Sequence, residues 1–510
     1  MRDKQIKYGI VLSYVYVIVN VLSGIVFTPF LIHLLGKSQY GLYEIIVSLA
    51  SNISVLNFGL GGSVVKYVST YQNEGSKEKQ EIVIGTIIKL LSLFALIAMI
   101  ICIIIYVNFD SIYASSLTLS ERQQGKHLFI LASINLIVAL PGGTFSNVLS
   151  AYEKFAITRG MEIAKILLRI GLIVSFSFLY IDASTVLVID TLLNIGIIVL
   201  SYIYMHRNLA LRINWINNDK QMLRDIFVFS GYILFFVIAR EVQFQTDKTI
   251  IGLRLSTTMV TIYAAGSKIS ATFNQLGYVL SGMYLPRAIA IENDHPTEIK
   301  YRKYIISMGR IIFPIIMIVF IGYIFLGLPF MRLWMGDEYD LSFYSSLIMM
   351  SSLLVPILLD TGLAIMKAKD KQGVIAISWF ISSIANVILT WIVVPYWGII
   401  GASIMTFITS YAINVVVLLV VLRKETGLKV TKTLIGINEG FVIPAILSGV
   451  YFALIYLIFK IDIHSWMSLV IVGCGYGVIY GIAILFCYVS KEQRKEVGRI
   501  IKNKLNRRNG

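Results

Sequence analysis

The stretch Ile226-Phe-Val-Phe-Ser-Gly-Tyr-Ile-Leu-Phe-Phe-Val-Ile-Ala-Arg-Glu-Val-Gln-Phe-Gln-Thr246 is apolar enough to lie in a bilayer, yet it carries Arg240 and Glu241 well inside and runs on into Asp247-Lys248. A charge near the middle of a spanning helix costs about 2.5–3.5 kcal/mol on insertion scales. A segment that keeps one faces other helices or a water-filled cavity, which is where a transported molecule would travel.

The surrounding sequence has the same character. Of its 510 residues, 57% are hydrophobic and only 14% charged, too few charges for the surface of a soluble protein of this length. The apolar residues come in blocks of about twenty, the length that crosses a bilayer as a helix. The expectation is an all-α integral membrane protein with about fourteen spans, near 8–32, 42–65, 83–107, 127–149, 160–181, 184–205, 226–246, 258–282, 305–328, 343–366, 374–394, 398–422, 441–460 and 466–489. Tyr40, Tyr43, Trp334, Trp397 and Trp466 sit near span ends, as interfacial anchors do. The first apolar run follows Met1–Lys7 without a small-residue cleavage site and reads as a retained span. Cys102, Cys474 and Cys487 lie in apolar runs without metal spacing and read as small buried hydrophobes.

The net charge of +16 is unevenly distributed. Segments on the side of the N-terminus carry about 33 of the 44 Lys and Arg residues, while Lys37, Arg122, Lys126, Lys248, Arg254 and Arg332 lie opposite. The positive-inside rule then puts both termini in the cytoplasm and requires an even number of spans. The basic tail within 490–510 reads as a topology signal against anionic lipid rather than a nucleic-acid site. The longest outer loop, Asn108–Gly125, is too short for an extracellular enzyme domain, and no nucleophile–base pair, metal cluster or phosphate-binding glycine loop stands out. The chain is therefore expected not to be an enzyme, with no catalytic or metal-ligating residues.

The linker 207–224 divides the spans into an N-terminal six-helix lobe, 1–206, and a C-terminal six-helix lobe, 225–424, followed by two extra helices within 425–489. The lobes look related. A shift of about 220 residues sets Gly41-Leu-Tyr43 on Thr261-Ile-Tyr263, and a shift of 217 sets Glu153-Lys154 on Asp370-Lys371. Pseudo-repeated lobes are a common transporter plan, with the substrate near the midplane between them.

Arg240, Gln243 and Asp247 share one face of the seventh span; Lys268, Thr272 and Gln275 make a comparable face on the eighth. Converging, they would line a cavity, although Arg240 with Asp247 or Glu241 would also serve as a structural pair. Glu162, Lys165 and Arg169 climb the fifth span from its cytoplasmic end, and Lys66 and Lys89 sit at inner ends, where snorkelling is easy. Asp190 and Asp360 are the acids placed to carry a coupling proton or sodium ion, or else a structural partner. Arg240 and Lys268 are the deep cations, and the first span has no acid. Such a cavity favours an anion that Arg can grip bidentately.

The turn Leu35-Gly-Lys-Ser-Gln-Tyr-Gly-Leu-Tyr43 resembles the "LG-x-x-x-YG-x-Y" turn of bacterial polysaccharide and O-antigen flippases of the Wzx type. Leu56-Asn-Phe-Gly-Leu60, with Lys66-Tyr67, is similar to their second-span signature, although Asn57 stands where many relatives carry Asp. Asp247-Lys-Thr-Ile-Ile-Gly252, followed by Tyr263-Ala-Ala, resembles the opening of their second half. The resemblance implies the multidrug/oligosaccharidyl-lipid/polysaccharide exporter fold, with two lobes in a V around a central cavity. It also implies a substrate, an oligosaccharide on undecaprenyl pyrophosphate, turned from the cytoplasmic to the outer leaflet of the bacterial cytoplasmic membrane by alternating access.

On that reading Arg240 and Lys268 would clamp phosphate, Gln243, Thr272, Asn274 and Gln275 would meet sugars, and Asp247, Lys66, Lys89 and Arg169 complete the candidate substrate-binding set. No cofactor is expected beyond a coupling proton or sodium ion. The expected partners are the lipid-linked oligosaccharide, membrane lipids and the polysaccharide polymerase machinery, with no nucleic acid. A lipid II or teichoic-acid-precursor flippase, and a cation-coupled multidrug exporter of the same fold, are the alternatives.

Overall fold

The computed structural model describes residues 2–489 except 58, 180, 216–219, 279–283 and 295, and leaves aside the side chains of residues 2–7, 9, 10, 220, 229, 232, 233, 236, 240 and 244. Among the described residues the regular secondary structure is helical, without strands. In chain order the helices are α1 (Arg2–Ser54), α2 (Leu60–Asn73), α3 (Lys77–Ile112), α4 (Leu119–Ala151), α5 (Phe155–Ser177), α6 (Ala183–Asn208), α7 (Lys220–Arg254), α8 (Thr257–Gly277), α9 (Tyr284–Glu292) and α10 (Glu298–Met335). There follow α11 (Asp340–Leu358), α12 (Asp360–Ala368), α13 (Gln372–Thr409), α14 (Val416–Thr426), α15 (Val430–Asn438), α16 (Val442–Ala453) and α17 (Trp466–Ala483), with π-helical turns at Ser410–Val415, Leu454–Ile458 and Ile484–Tyr488.

Each of the fourteen expected stretches lies largely on helix where it is described, residues 279–282 of the eighth lying outside the described residues, and some boundaries differ. Eight helical stretches among the described residues are long and apolar enough to cross a membrane, or nine if the bent pair Val430–Asn438 and Val442–Ile458 is one span. Two of the eight, Val11–Asn73 and Gln372–Thr426, are 63 and 55 residues long, at least twice the roughly 20 residues that a bilayer requires. Each contains a break. Gly36 leaves the helix at φ 77°, ψ 161°, where the first outer turn was expected, and Gly398 does so at φ 56°, ψ −145°, between the expected eleventh and twelfth spans. The expected span 343–366 is divided at Leu359, just beyond Pro356, so Asp360 opens a new helix. The chain is a multi-pass membrane protein.

Two compact units emerge: Met1–Lys268 with Ala376–Thr409, and Ile269–Ile375 with the described residues from Ser410 onward. In the first, α1 runs along α5 and α7, and α4 along α3 and α6. Its densest apolar cluster joins Leu60, Val64 and Val68 of α2 with Val83, Ile84, Ile87 and Leu91 of α3, and adds Val148, Met205 and Ile226. The three- and four-residue spacing makes one buried stripe per helix. Glycines set the closest approaches. A Cβ on Gly41 would lie 1.9 Å from the Thr257 carbonyl oxygen, and one on Gly252 would lie 2.6 Å from Ile45 Cγ1. The glycines of the flippase-like turn and of the second-half opening thus let α1 meet the start of α8 and the end of α7.

The turns at Glu153 and Asp370 share one backbone form. Both residues are left-handed, at φ 58° and 56°. In the first, Glu153 N donates to Ser150 O and Lys154 N to Leu149 O; in the second, Asp370 N donates to Lys367 O and Lys371 N to Met366 O. This paired 5→2 and 6→1 pattern is a Schellman helix end, and it recurs at the two positions that the 217-residue shift aligned.

In the second unit α10 packs on α11, α15 and α17, and α16 on α17. Pro329 has no N–H, so the Phe325 carbonyl loses its helical partner; Tyr456 Oη donates to that carbonyl at 2.8 Å. Tyr476 donates to Ile318 O at 3.0 Å and Tyr480 to Pro314 O at 2.8 Å. Phe325 stacks on Phe452 with centroids 4.4 Å apart. In hydrocarbon an unsatisfied carbonyl costs several kcal/mol, so these hydroxyls bind the last helices to α10. Tyr456→Phe is expected to lower unfolding stability in detergent by about 1–3 kcal/mol. Tyr476→Phe, beside a carbonyl whose helical donor Gly322 remains, should cost less. Equal losses would refute the role of the proline.

Candidate functional site

Arg159, Glu162, Lys165 and Arg169 lie three and four residues apart on α5, which makes them one face. At its start Arg159 pairs with Glu162 at 2.6 Å and lies over the Tyr16 ring of α1. Lys165 Nζ donates to Asn194 Oδ1 on α6, and Asn194 donates to Asn135 on α4. Farther along, Arg169 grips Asp190 of α6 through Nε at 2.6 Å and Nη2 at 3.2 Å. Tyr43 of α1 closes the triangle: its hydroxyl donates to Asp190 Oδ2 at 3.1 Å and accepts from Arg169 Nη2 at 3.3 Å. The guanidinium also faces Phe27 of α1, 5.8 Å from the ring centre.

A second pair lies between α1 and α7. Lys248 Nζ meets Glu44 at 2.8 Å, with both side chains about 15% exposed, and Tyr40 Oη donates to the same carboxylate. Ser48, Asn52, Thr246 and Thr249 extend this seam by hydrogen bonds. Lys268 of α8 passes over Gly24 of α1 and interacts electrostatically with Glu44, Lys248 and Arg169. Four cations, Lys165, Arg169, Lys248 and Lys268, thus share this region of the first unit with the carboxylates of Glu44 and Asp190, and Lys165 also interacts with Glu162. Each charge removed from water costs several kcal/mol even after relaxation.

Asp247 has different surroundings. It is 1% exposed and accepts from Tyr263 Oη at 2.7 Å and Thr406 Oγ1 at 2.9 Å. The Asn386 amide, turned to satisfy its neighbours, donates to the other carboxylate oxygen at 3.3 Å. One helical turn on, the buried Thr390 hydroxyl lies beside the same carboxylate. Every partner of Asp247 among the described residues is neutral. The Asp247 carboxylate, the two threonine hydroxyls and the Asn386 side-chain carbonyl thus gather oxygen atoms among the packed helices of the first unit.

The structure therefore redistributes the expected set. Asp247 lies among packed helices, bound to Tyr263, Thr406 and Asn386, and Gln243 is half-buried on α7. The side chain of Arg240 lies outside the described residues. Thr272 is half-buried and Gln275 exposed on the part of α8 that belongs to the second unit, where Asn274 Oδ1 is buried without a partner. Lys66 is exposed on α2, 5.0 Å from the Tyr67 ring centre, and Lys89 is half-buried on α3. Asp190, expected to carry an ion or to serve as a structural partner, is engaged by Arg169. Asp360 is half-buried at the start of α12, interacting with Lys367 and Tyr284. Glu44, Asn386 and Thr406 were not anticipated. Their partners lie 204, 139 or 159 residues away in sequence, and only Tyr43 and Tyr263, flagged as repeat positions, pointed to such contacts.

Residues 6–282 match the family model described as polysaccharide biosynthesis protein. The "Putative O-antigen transporter" of Shigella flexneri is 21% identical over 390 residues, 76% of this chain and 89% of that protein. Among solved structures, the lipid II flippase MurJ in its inward closed conformation is similar with a TM-score of 0.67 at 15% identity, over 93% of this chain and 97% of MurJ. An inward-facing multidrug resistance MATE family transporter of the MOP superfamily gives 0.63 at 13% identity, over 81% of this chain and 96% of that one. At these identities the structural likeness is one of fold, the exporter fold that the sequence motifs implied. The family match spans more than half of the sequence and contains all three motifs, and the chain belongs to the polysaccharide biosynthesis protein family.

Proposed function

We propose that this protein is a flippase that turns a lipid-linked oligosaccharide, carried on undecaprenyl pyrophosphate, from the cytoplasmic to the outer leaflet of the bacterial cytoplasmic membrane for surface polysaccharide synthesis. The observation that carries the reading is the cation-rich cluster of Lys165, Arg169, Lys248 and Lys268 inside a helical membrane unit. A polyprenyl tail can stay in lipid while its pyrophosphate cannot, and Arg and Lys donors replace the water that the phosphates lose. The proposal includes fourteen spans, cytoplasmic termini and alternating access. Asp247, with Asn386, Thr390 and Thr406, would hold the coupling proton or sodium ion. The carboxylates near the cluster, Glu44 and Asp190, are each paired with a cation, which argues against an exporter of lipophilic cations.

The test is accumulation of lipid-linked intermediate on the cytoplasmic leaflet after deletion of the gene, with Lys268→Ala and Arg240→Ala compared with the parent for rescue. The loss of a charge-assisted hydrogen bond, about 1.5–3 kcal/mol, predicts at least a tenfold fall in flipping for Lys268→Ala. Full rescue by both variants would remove the site. The fold shared with MurJ over 93% of the chain favours one second reading, a carrier such as lipid II or a teichoic-acid precursor. Competition between defined lipid-linked saccharides for the purified protein separates the two.

A further inference from the structure

Gly24 lies in α1, buried, with Pro29 five residues on and Thr28 Oγ1 donating to its carbonyl at 2.5 Å. A Cβ built on Gly24 would lie 2.4 Å from Lys268 Cε and 3.0 Å from Lys268 Nζ. No carbon atom tolerates the first distance, so the lysine tail occupies the place of the missing side chain. The contact is specific in kind: the three nearest atoms all belong to Lys268, namely Cε, Nζ and Cδ. One turn along the same face, Phe27 lies beneath the Arg169 guanidinium. A single face of α1 therefore carries a seat for one cation and a ring for another, and the two cations repel each other.

We infer that Gly24 is a positioning residue that fixes the Lys268 ammonium within the anion-binding cluster. The inference rests on the reading of Lys268 as an anion-binding group. The bare backbone at Gly24 lets the lysine methylenes lie flat against α1, as long basic side chains do along apolar surfaces. It thereby sets where the ammonium stops relative to Glu44, Lys248 and Arg169. The three atoms nearest to a methyl group at position 24 all belong to the end of a flexible side chain, which can be pushed aside. Because Ala is a better helix former than Gly, the variant should fold at least as well as the parent.

The experiment is a double-mutant cycle on the full chain in nanodiscs, with Gly24→Ala, Lys268→Ala and the pair, reading equilibrium binding of farnesyl diphosphate and of inorganic pyrophosphate. Gly24→Ala should weaken binding about tenfold, the equivalent of about 1.4 kcal/mol, and should add nothing in the Lys268→Ala background. Weakening of farnesyl diphosphate alone would assign the site to a lipid-borne phosphate, and weakening of both to the phosphate itself. Additive losses, or an unchanged affinity for Gly24→Ala where Lys268→Ala weakens binding, would overturn the role of Gly24 and leave the cluster standing. An unchanged affinity for Lys268→Ala would overturn the cluster and the role of Gly24 with it. Should Gly24→Ala fail to accumulate, accumulation of the double variant would reveal the same contact, and failure of both would refute it.

Discussion

Arg169→Ala is expected to destabilise the protein by about 3–5 kcal/mol, the cost of removing one partner from a buried ion pair. Asp190 would keep the Tyr43 hydroxyl at 3.1 Å and the more distant charge of Lys165, too little to compensate a carboxylate 17% exposed. Arg169→Leu with Asp190→Leu should recover most of that loss, because apolar residues of similar volume often replace such a pair at little cost. It should not recover flipping if Arg169 also meets the substrate phosphate. Denaturation in detergent and flipping in proteoliposomes, measured on the same three proteins, decide the matter. A double variant that is stable and flips at the parental rate would confine Arg169 to a structural role.

Asp247→Asn is expected to uncouple. The amide preserves the shape and accepts from Tyr263 or Thr406, so folding should be close to that of the parent. It removes the negative charge that a proton or sodium ion would neutralise. Coupling energies between sites are commonly about 1–3 kcal/mol, or 5- to 150-fold, and a fall in ion-driven flipping of that order is expected, with headgroup binding retained. Proteoliposomes under imposed sodium and proton gradients give the readout. A variant that still responds to both gradients would exclude Asp247 as the coupling group. Asp247→Ala, by contrast, strands the Tyr263 and Thr406 hydroxyls and should lose stability as well.

Much of the architecture could be read from the residues because membrane helices are written in runs. Among the described residues each apolar block lies largely on helix, and Gly36 and Gly398 broke the chain where outer turns were expected. The motif glycines Gly41 and Gly252 proved to be points of helix contact, a role that spacing alone does not reveal. Side-chain pairing was less legible. Helical periodicity grouped Asp247 with Arg240 and Gln243, but a periodic face does not say which neighbour it meets, and Asp247 is held by residues 16 and 159 positions away. Lys248 read as an outer-loop charge because Glu44, its partner, belongs to a different span. Lys268 was named for its charge, but its course over Gly24 depends on an atom that the sequence only records as missing.

The hydroxyl of Tyr456 has a bearing on biogenesis. It reaches the carbonyl freed by Pro329 from 131 residues beyond Phe325, so during synthesis α10 leaves the ribosome long before its partner exists. The nascent helix must keep that oxygen hydrated or shielded by the insertion machinery until the final pair of helices arrives. A chain truncated before Tyr456 should therefore stall as an insertion intermediate open to quality-control proteolysis, which gives the last helices a part in assembly separate from any part in transport.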